Sequence, residues 1–483
     1  MNILRKYPYE ILTIAGILVF IAFKISAMLL PFHGDEMGVY APAAFIMKDL
    51  GHIGLLPSCL EPLYSRGHPL LLTFTNAIVF KLFGESVITG HSFAMCISVL
   101  TLVLFFLFAR KEFNPQTAFF STVILMAQPV FFTYSVMIFP EMMLTLFSVL
   151  SVWAIVRKKW TLYAISGSLA LLTKESAVVI PLVAIVVIFI QAVSERDFFS
   201  ARRIRLFLIG LIPLLVFGIF LVIQKIQNGW FLFPEHIGYI HFGWSAIYPI
   251  GKRILNEMFF GFGKWVTGAS FLAGIVLCIF RKKLKLPLNS NALFTFALFC
   301  LFVFLFADFN YYLTRYILYG IPFIVLGGVH TLVAVSERII PRFRSVRLML
   351  LTVVTGLSIF FSHYGTYKYP FGEMSYTCVV KVIAEAVSWT EQQSWRNDSI
   401  TSNFPVYQAL SDKRNGYLKG EAIPTTGEFE TKIKYGLVYY EWETKNILNS
   451  KNYRYKILKT WTDGFANVAC IEFDHDSVTM KKE

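Results

Sequence analysis

ILTIAGILVFIAFKISAMLL (11–30) runs without a break into PFHGDEMGVY (31–40), and that junction decides the fold class. The apolar run has the roughly 20 residues a helix needs to cross about 30 Å of hydrocarbon. The neighbouring acids Asp35 and Glu36 then emerge at the membrane surface, where a carboxylate stays ionised. The run is too long for the apolar core of a signal peptide and lacks a small-residue cleavage site, so it is predicted to remain as the first helix.

Composition extends this reading to the whole chain. Of 483 residues, 56% are hydrophobic, 17% aromatic and 15% charged, against about 25% charged in globular domains. The net charge of +14 would suit nucleic acid if it lay in a patch. Instead the cations fall in short gaps between apolar runs: Arg5-Lys6, Arg110-Lys111, Arg157-Lys158-Lys159, Arg196 with Arg202-Arg203-Arg205, Arg281-Lys282-Lys283, and Arg338 to Arg347. Such clusters set orientation through the positive-inside rule.

Eleven spans follow, near 11–30, 87–109, 117–136, 140–156, 161–173, 176–193, 206–223, 264–280, 290–306, 316–334 and 346–362. With the N-terminus cytoplasmic, every basic cluster lies inside, and 31–86, 137–139, 174–175, 224–263, 307–315 and the tail lie outside. The run 161–173 is short for a span, and 69–83, interrupted by Asn76 and Lys81, reads as a helix along the membrane face. The expected architecture is an all-α polytopic membrane domain (1–362) with a small extracytoplasmic α/β tail (363–483). The tail changes character after Tyr369-Pro370, with a helical stretch at 375–393 and strand-like runs at 398–404, 435–442, 455–461 and 466–473. Cys96, Cys278 and Cys300 fall within spans as small apolar residues. Cys59, Cys378 and Cys470 fall outside, where a Cys378–Cys470 disulfide could form.

Charged residues at span ends are the candidates for chemistry, because a charge near the bilayer centre costs about 2.5–3.5 kcal/mol on insertion scales. The outer side collects His33, Asp35, Glu36, Glu61, Arg66, His68, Glu141, Lys174, Glu175, Asp308 and Arg315. Each alone could be a solvated helix end. No Walker A loop or G-x-G-x-x-G is present, which argues against direct use of nucleotide energy.

These segments carry a resemblance. In order they read Gly34-Asp35-Glu36, Gly67-His68-Pro69-Leu70-Leu71, Leu82-Phe83-Gly84-Glu85-Ser86, Phe108-Ala109-Arg110, Gln128-Pro129, Phe139-Pro140-Glu141, Leu171-Leu172-Thr173-Lys174-Glu175 and Arg315-Tyr316-Ile317-Leu318. Across residues 1–335 this order resembles the C-type-fold membrane glycosyltransferases, the superfamily of protein O-mannosyltransferases, aminoarabinose transferases and lipopolysaccharide-core transferases. The tail resembles no family. The resemblance implies inverting transfer of a hexose or pentose from a polyprenyl-phosphate carrier to an extracytoplasmic lipid, glycan or protein, in the inner (plasma) membrane.

Residue chemistry fits that expectation. A carboxylate at the acceptor can serve as general base, a role that falls to Asp35, with Glu36 orienting it or holding the acceptor. Arg315 and Lys174 suit the departing lipid phosphate, Arg through paired hydrogen bonds and Lys as a compact charge. Glu141, His68 and Tyr316 are expected to bind substrate. No cofactor is required by this scheme. A divalent ion could nonetheless sit among His33, Asp35, Glu36 and His68, since imidazole and carboxylate suit Zn or Mn. Two other readings stay open, a polytopic transporter and a non-catalytic assembly protein for envelope polymers. Neither matched half-repeats nor paired broken helices, the marks of many transporters, are visible.

Overall fold

The structure, a computed structural model, describes residues 6–240, 243–366, 375–427, 433–441 and 455–473. Helix α1 (Pro8–Met28) leads through a π-helical turn (Glu36–Tyr40) into α2 (Ala41–Asp49) and α3 (Leu71–Phe83). The bundle continues with α4 (Val87–Glu112), α5 (Pro115–Ala127), α6 (Pro140–Val156), α7 (Trp160–Thr173), α8 (Val179–Glu195) and α9 (Ala201–Asn228). It closes with α10 (Trp244–Leu255), α11 (Trp265–Leu284), α12 (Ser290–Asp308), α13 (Ile321–Ile339) and α14 (Arg344–Thr366). Helix starts follow local chemistry. Proline opens α1, α5 and α6, where its missing N–H costs nothing. Ser86, Asn114 and Ser200 accept the free N–H groups of the helices they precede, as capping side chains do.

Among the described residues, eight helical stretches are long and apolar enough to cross a membrane, and they coincide with eight of the eleven expected spans. The other three differ. The expected span 117–136 is broken: α5 ends at Ala127, Gln128 is extended, and a short helix, Pro129–Tyr134, follows. Proline disfavours a helical conformation in the residue before it. Helices α6 and α7 are shorter than a crossing segment, but they pack against each other, and α6 also packs on α4. Nearly all of α6 is buried, so it is enclosed by protein rather than lipid. Helix α13, with the turn before it, is the most enclosed stretch, whereas α1 and α9 leave most of their surface open. Helix α3 packs on α2.

Helix α14 runs to Thr366, so the expected division at 362/363 falls inside a helix, and the junction at Tyr369-Pro370 lies outside the described residues. The tail contains α15 (Tyr376–Thr390) and strands β1 (Ile400–Ser402), β2 (Thr425–Thr426), β3 (Tyr435–Glu441), β4 (Tyr455–Asp463) and β5 (Ala466–Phe473). The sheet order is β2-β1-β3-β5-β4. Strand β1 is parallel to β2 and β3, while β5 is antiparallel to β3 and β4. Leu437 pairs with Cys470 across β3 and β5, and α15 covers the β4–β5 side. All six cysteines are free thiols, so Cys378 and Cys470 do not pair.

Candidate active site

Breaks in helical structure bring the polar residues to one end of the bundle. Asp35 stands before the π-helical turn. Glu141 lies in the first turn of α6 behind Pro140, where a carboxylate meets the positive end of the helix dipole. Lys174 occupies an extended break between α7 and the 3-10 turn Glu175–Val178. Arg315 and Tyr316 belong to another 3-10 turn, Thr314–Gly320, that opens α13. At the Gly-His-Pro turn, Gly67 has φ +70°, and a Cβ there would stand 2.8 Å from Phe233 Cβ. The bare Cα therefore lets the segment after α9 close on the turn. That places the His236 ring 4.7 Å from the His68 ring, centroid to centroid.

The charges interlock. Lys174 Nζ donates to Glu141 Oε1 at 2.6 Å, and Arg315 Nε lies 3.4 Å from the same oxygen. Arg315 Nη2 pairs with Asp35 Oδ2. Glu141, only 1% exposed, thus sits between two cations. Tyr316 lies under Lys174 Nζ at 4.0 Å, and the Arg315 guanidinium lies over the Phe139 ring at 4.9 Å, arrangements that favour a cation. Burial lowers the Lys174 pKa, but Glu141 foremost and the Tyr316 and Glu175 groups beside it outweigh that, and the net shift is upward. Among the described residues, Glu141 Oε2 and Arg315 Nε make no hydrogen bond although both are buried.

Two cavities meet here. One of about 680 Å³ is lined by His33, Asp35, Tyr40, Arg66 and Arg315, and by tail residues. The other, about 350 Å³, is lined by Lys174 and by apolar side chains such as Phe217, Leu221, Leu232 and Phe306. His68, His236 and Tyr316 line both.

Glu36 turns away from the cavities. Its carboxylate accepts from Ile138 N at 2.7 Å and lies 3.1 Å from His91 Nε2, and it is 1% exposed. It braces the π-helical turn against α4 and is not among the residues that line the two cavities. The quartet of His33, Asp35, Glu36 and His68 expected for a metal is consequently not assembled. Among the described residues, the group whose ligand atoms lie within 4.8 Å of one another is His68, Glu175 and His236. His68 Nδ1 is 3.0 and 3.1 Å from the two Glu175 oxygens. Burial, then the neighbouring His68, lowers the His236 pKa.

With this geometry in place, comparison with known proteins is informative. Residues 67–223 match the profile of the family described as dolichyl-phosphate-mannose-protein mannosyltransferase. None of the curated proteins matches the chain in sequence. Among solved structures, ArnT from Cupriavidus metallidurans bound to undecaprenyl phosphate is similar over 96% of this chain and 98% of that one, with TM-score 0.57 and 14% identity. The same protein in its apo state aligns with TM-score 0.55 at 13% identity, over 94% of this chain and 97% of that one. An oligosaccharyltransferase from Archaeoglobus fulgidus in the apo form covers 92% of this chain and 71% of its own length, with TM-score 0.54 and 12% identity. The chain has the C-type glycosyltransferase fold. It is a multi-pass membrane protein. Within this C-type fold, sequence reasoning missed His236, Tyr239 and Tyr311 as cavity residues. The aromatic run WFLFPEHIGYI (230–240), in a gap on the same side as His68, was the available signal.

Proposed function

We propose that the protein is an inverting glycosyltransferase that moves a sugar from a polyprenyl-phosphate carrier to an acceptor outside the cytoplasm. One observation carries this reading: the two cations, Lys174 and Arg315, stand at the seam of an apolar and a polar cavity. An amphiphilic donor matches that seam, with its chain among Phe217, Leu221 and Phe306, its phosphate at the cations and its sugar toward Asp35. The family match and the ArnT likeness support the same donor class.

In this scheme the donor phosphate takes the Arg315 guanidinium from Asp35, which frees the carboxylate. The acceptor hydroxyl attacks the anomeric carbon while its proton passes to Asp35. The bond from that carbon to the phosphate oxygen breaks, and Arg315 and Lys174 stabilise the charge on the leaving polyprenyl phosphate. Glu141 holds the two cations in place, and Tyr316 and His68 border the phosphate. The scheme runs without a metal. If a divalent ion binds, the residues that suit it are His68, Glu175 and His236, two imidazoles and a carboxylate.

The distribution of the basic clusters supports an N-terminus in the cytoplasm with the site and tail outside, and the likeness to membrane glycosyltransferases supports the inner (plasma) membrane. A reporter fused after Glu483 should be active only outside, and cytoplasmic activity would overturn that orientation. Mass spectrometry of envelope glycolipids and glycoproteins, with and without the gene, should reveal one missing sugar mass. Movement of labelled substrate across vesicles with no new glycosidic bond would instead mark a transporter.

A further inference from the structure

Next to Asp35 in sequence, Glu36 enters a buried pair with His91 on α4. The two residues are 1% and 2% exposed. Glu36 Oε1 accepts from Ile138 N–H at 2.7 Å and faces His91 Nε2 at 3.1 Å, while Oε2 accepts from His33 N–H at 3.3 Å. On the far side of the ring, Nδ1 lies 3.0 Å from the Met28 carbonyl oxygen, one of the last carbonyls of α1, which have no partner within the helix. The Phe32 ring stands edge-on to the imidazole at 5.2 Å. The pair thus joins the end of α1, the π-helical turn, the start of α4 and the segment that leads into α6.

These partners fix the protons. A carbonyl oxygen only accepts, so Nδ1 carries a hydrogen. A neutral imidazole has one N–H and one bare nitrogen, and the bare nitrogen would then turn its lone pair to Oε1. A proton on Glu36 would have to sit on that same Oε1, to which Ile138 N–H already donates at 2.7 Å, and a neutral hydroxyl accepts more weakly than a carboxylate. We propose that His91 is a positioning residue: its ring carries both protons, gives one hydrogen bond to α1 and one to Glu36, and so pins the turn that presents Asp35. Ile138 lies three residues before Glu141, so the same carboxylate sets Asp35 against the cluster of Glu141, Lys174 and Arg315. This rests on the reading of Asp35 as the base and adds the side chains that hold it in register.

The test has two arms, both on the full chain in lipid nanodiscs. The first is heteronuclear NMR of the His91 ring nitrogens. His91-Ser92 is the one His-Ser step in the sequence, so paired His and Ser labels assign the residue without a mutation. Both ring nitrogens should carry protons in the transfer buffer, and one bare nitrogen overturns the proposal. The second arm is a double-mutant cycle on turnover. His91→Gln keeps one N–H for Glu36 but neither the charge nor the donor to Met28. Turnover should fall by about tenfold to a hundredfold, in line with the cost of a reacting group misplaced by about 1 Å. Polyprenyl-phosphate binding, measured by native mass spectrometry, should be unchanged and reports intact folding. In an Asp35→Asn background the same substitution should change turnover by less than about twofold, because it acts through Asp35. A full further loss there, or lost donor binding in His91→Gln, would mean that His91 supports the bundle at large and would overturn the positioning role. Unchanged turnover in His91→Gln would overturn it as well. Near-normal turnover in Asp35→Asn alone sinks the base reading itself, so the two failures are told apart.

Discussion

At the residue scale the decisive pair is Asp35 and Arg315, 280 positions apart and joined in an ion pair. Asp35→Asn keeps the side-chain size but removes the base. Turnover should fall by roughly 10²–10⁴-fold, the usual contribution of a general base, with polyprenyl-phosphate binding retained. Arg315→Ala should weaken both binding and turnover. Arg315→Lys should recover part of the loss, because a single ammonium cannot reproduce the planar fork. Near-normal transfer by Asp35→Asn would remove Asp35 as the base. His33 gives a pH test. Although part of its surface faces the cavity, the ring lies deep among protein atoms. Burial lowers its pKa from 6.5 to about 4, against the opposing pull of Glu36 and then Asp35. Between those values the unfolded chain takes up a proton that the folded protein refuses. Stability is therefore unaffected by His33 above about pH 6.5, falls as pH drops through the window, and levels off below about 4. His33→Gln should flatten that part of a melting-temperature profile, and an unchanged slope would exclude His33 as its source.

At the element scale, the short helices and tight contacts of the bundle have a common origin in small residues and prolines. Helices α11 and α13 approach so closely that a Cβ on Gly328 would lie 2.1 Å from the Thr267 carbonyl oxygen. Small residues permit such backbone contact between membrane helices, where dispersion and packing replace the hydrophobic effect. Gly328→Val must force α11 and α13 apart. A destabilisation of about 1–3 kcal/mol or more is expected from overpacking, read as a lower melting temperature in detergent. Because α13 begins just after Arg315 and Tyr316, donor binding should weaken too. A variant with unchanged melting would show that the contact is softer than described. The break at Gln128-Pro129 belongs to the same scale. Hydropathy runs smoothly across it, so an apolar run can conceal a chain that leaves the helix.

For the whole molecule, the question is how the tail is held over the cavity. Arg414 is the main tie. Its Nη1 lies 2.8 Å from Asp49 Oδ2 and 3.3 Å from Glu85 Oε1, and its guanidinium covers the Phe45 ring at 4.5 Å. Phe32 N–H donates to the Asn415 carbonyl at 3.1 Å beside it, and the His33 ring lies 5.7 Å from Tyr376. Asp49 is about half exposed, so solvent screens that arm. The network as a whole should contribute about 1–2 kcal/mol. Arg414→Ala should therefore loosen the tail without unfolding the bundle. Hydrogen exchange should rise in β1, β3 and α15 while α4 and α13 stay protected, and acceptor affinity should fall more than donor affinity. Equal exchange changes in both parts would mean that Arg414 supports the entire fold.

Local signals in the sequence sufficed for whatever depends on one segment at a time. Hydropathy and the Arg/Lys gaps located eight long crossing helices, and strand-like runs in the tail located β3, β4 and β5 within a residue or two. Segment order carried the likeness to the C-type glycosyltransferases, because the helix breaks that hold Asp35, Glu141, Lys174 and Arg315 are themselves short local motifs. Tertiary structure alone decided where those side chains point. Glu36 and Asp35 are neighbours, yet one turns to His91 and the other to Arg315, since a helical turn sends consecutive side chains about 100° apart. His236 joins His68 because a glycine lets two distant loops touch. The wall of the larger cavity exists because the tail folds back over residues 32–49. Contacts of that kind are set by how distant elements pack, and they leave no periodic trace along the chain.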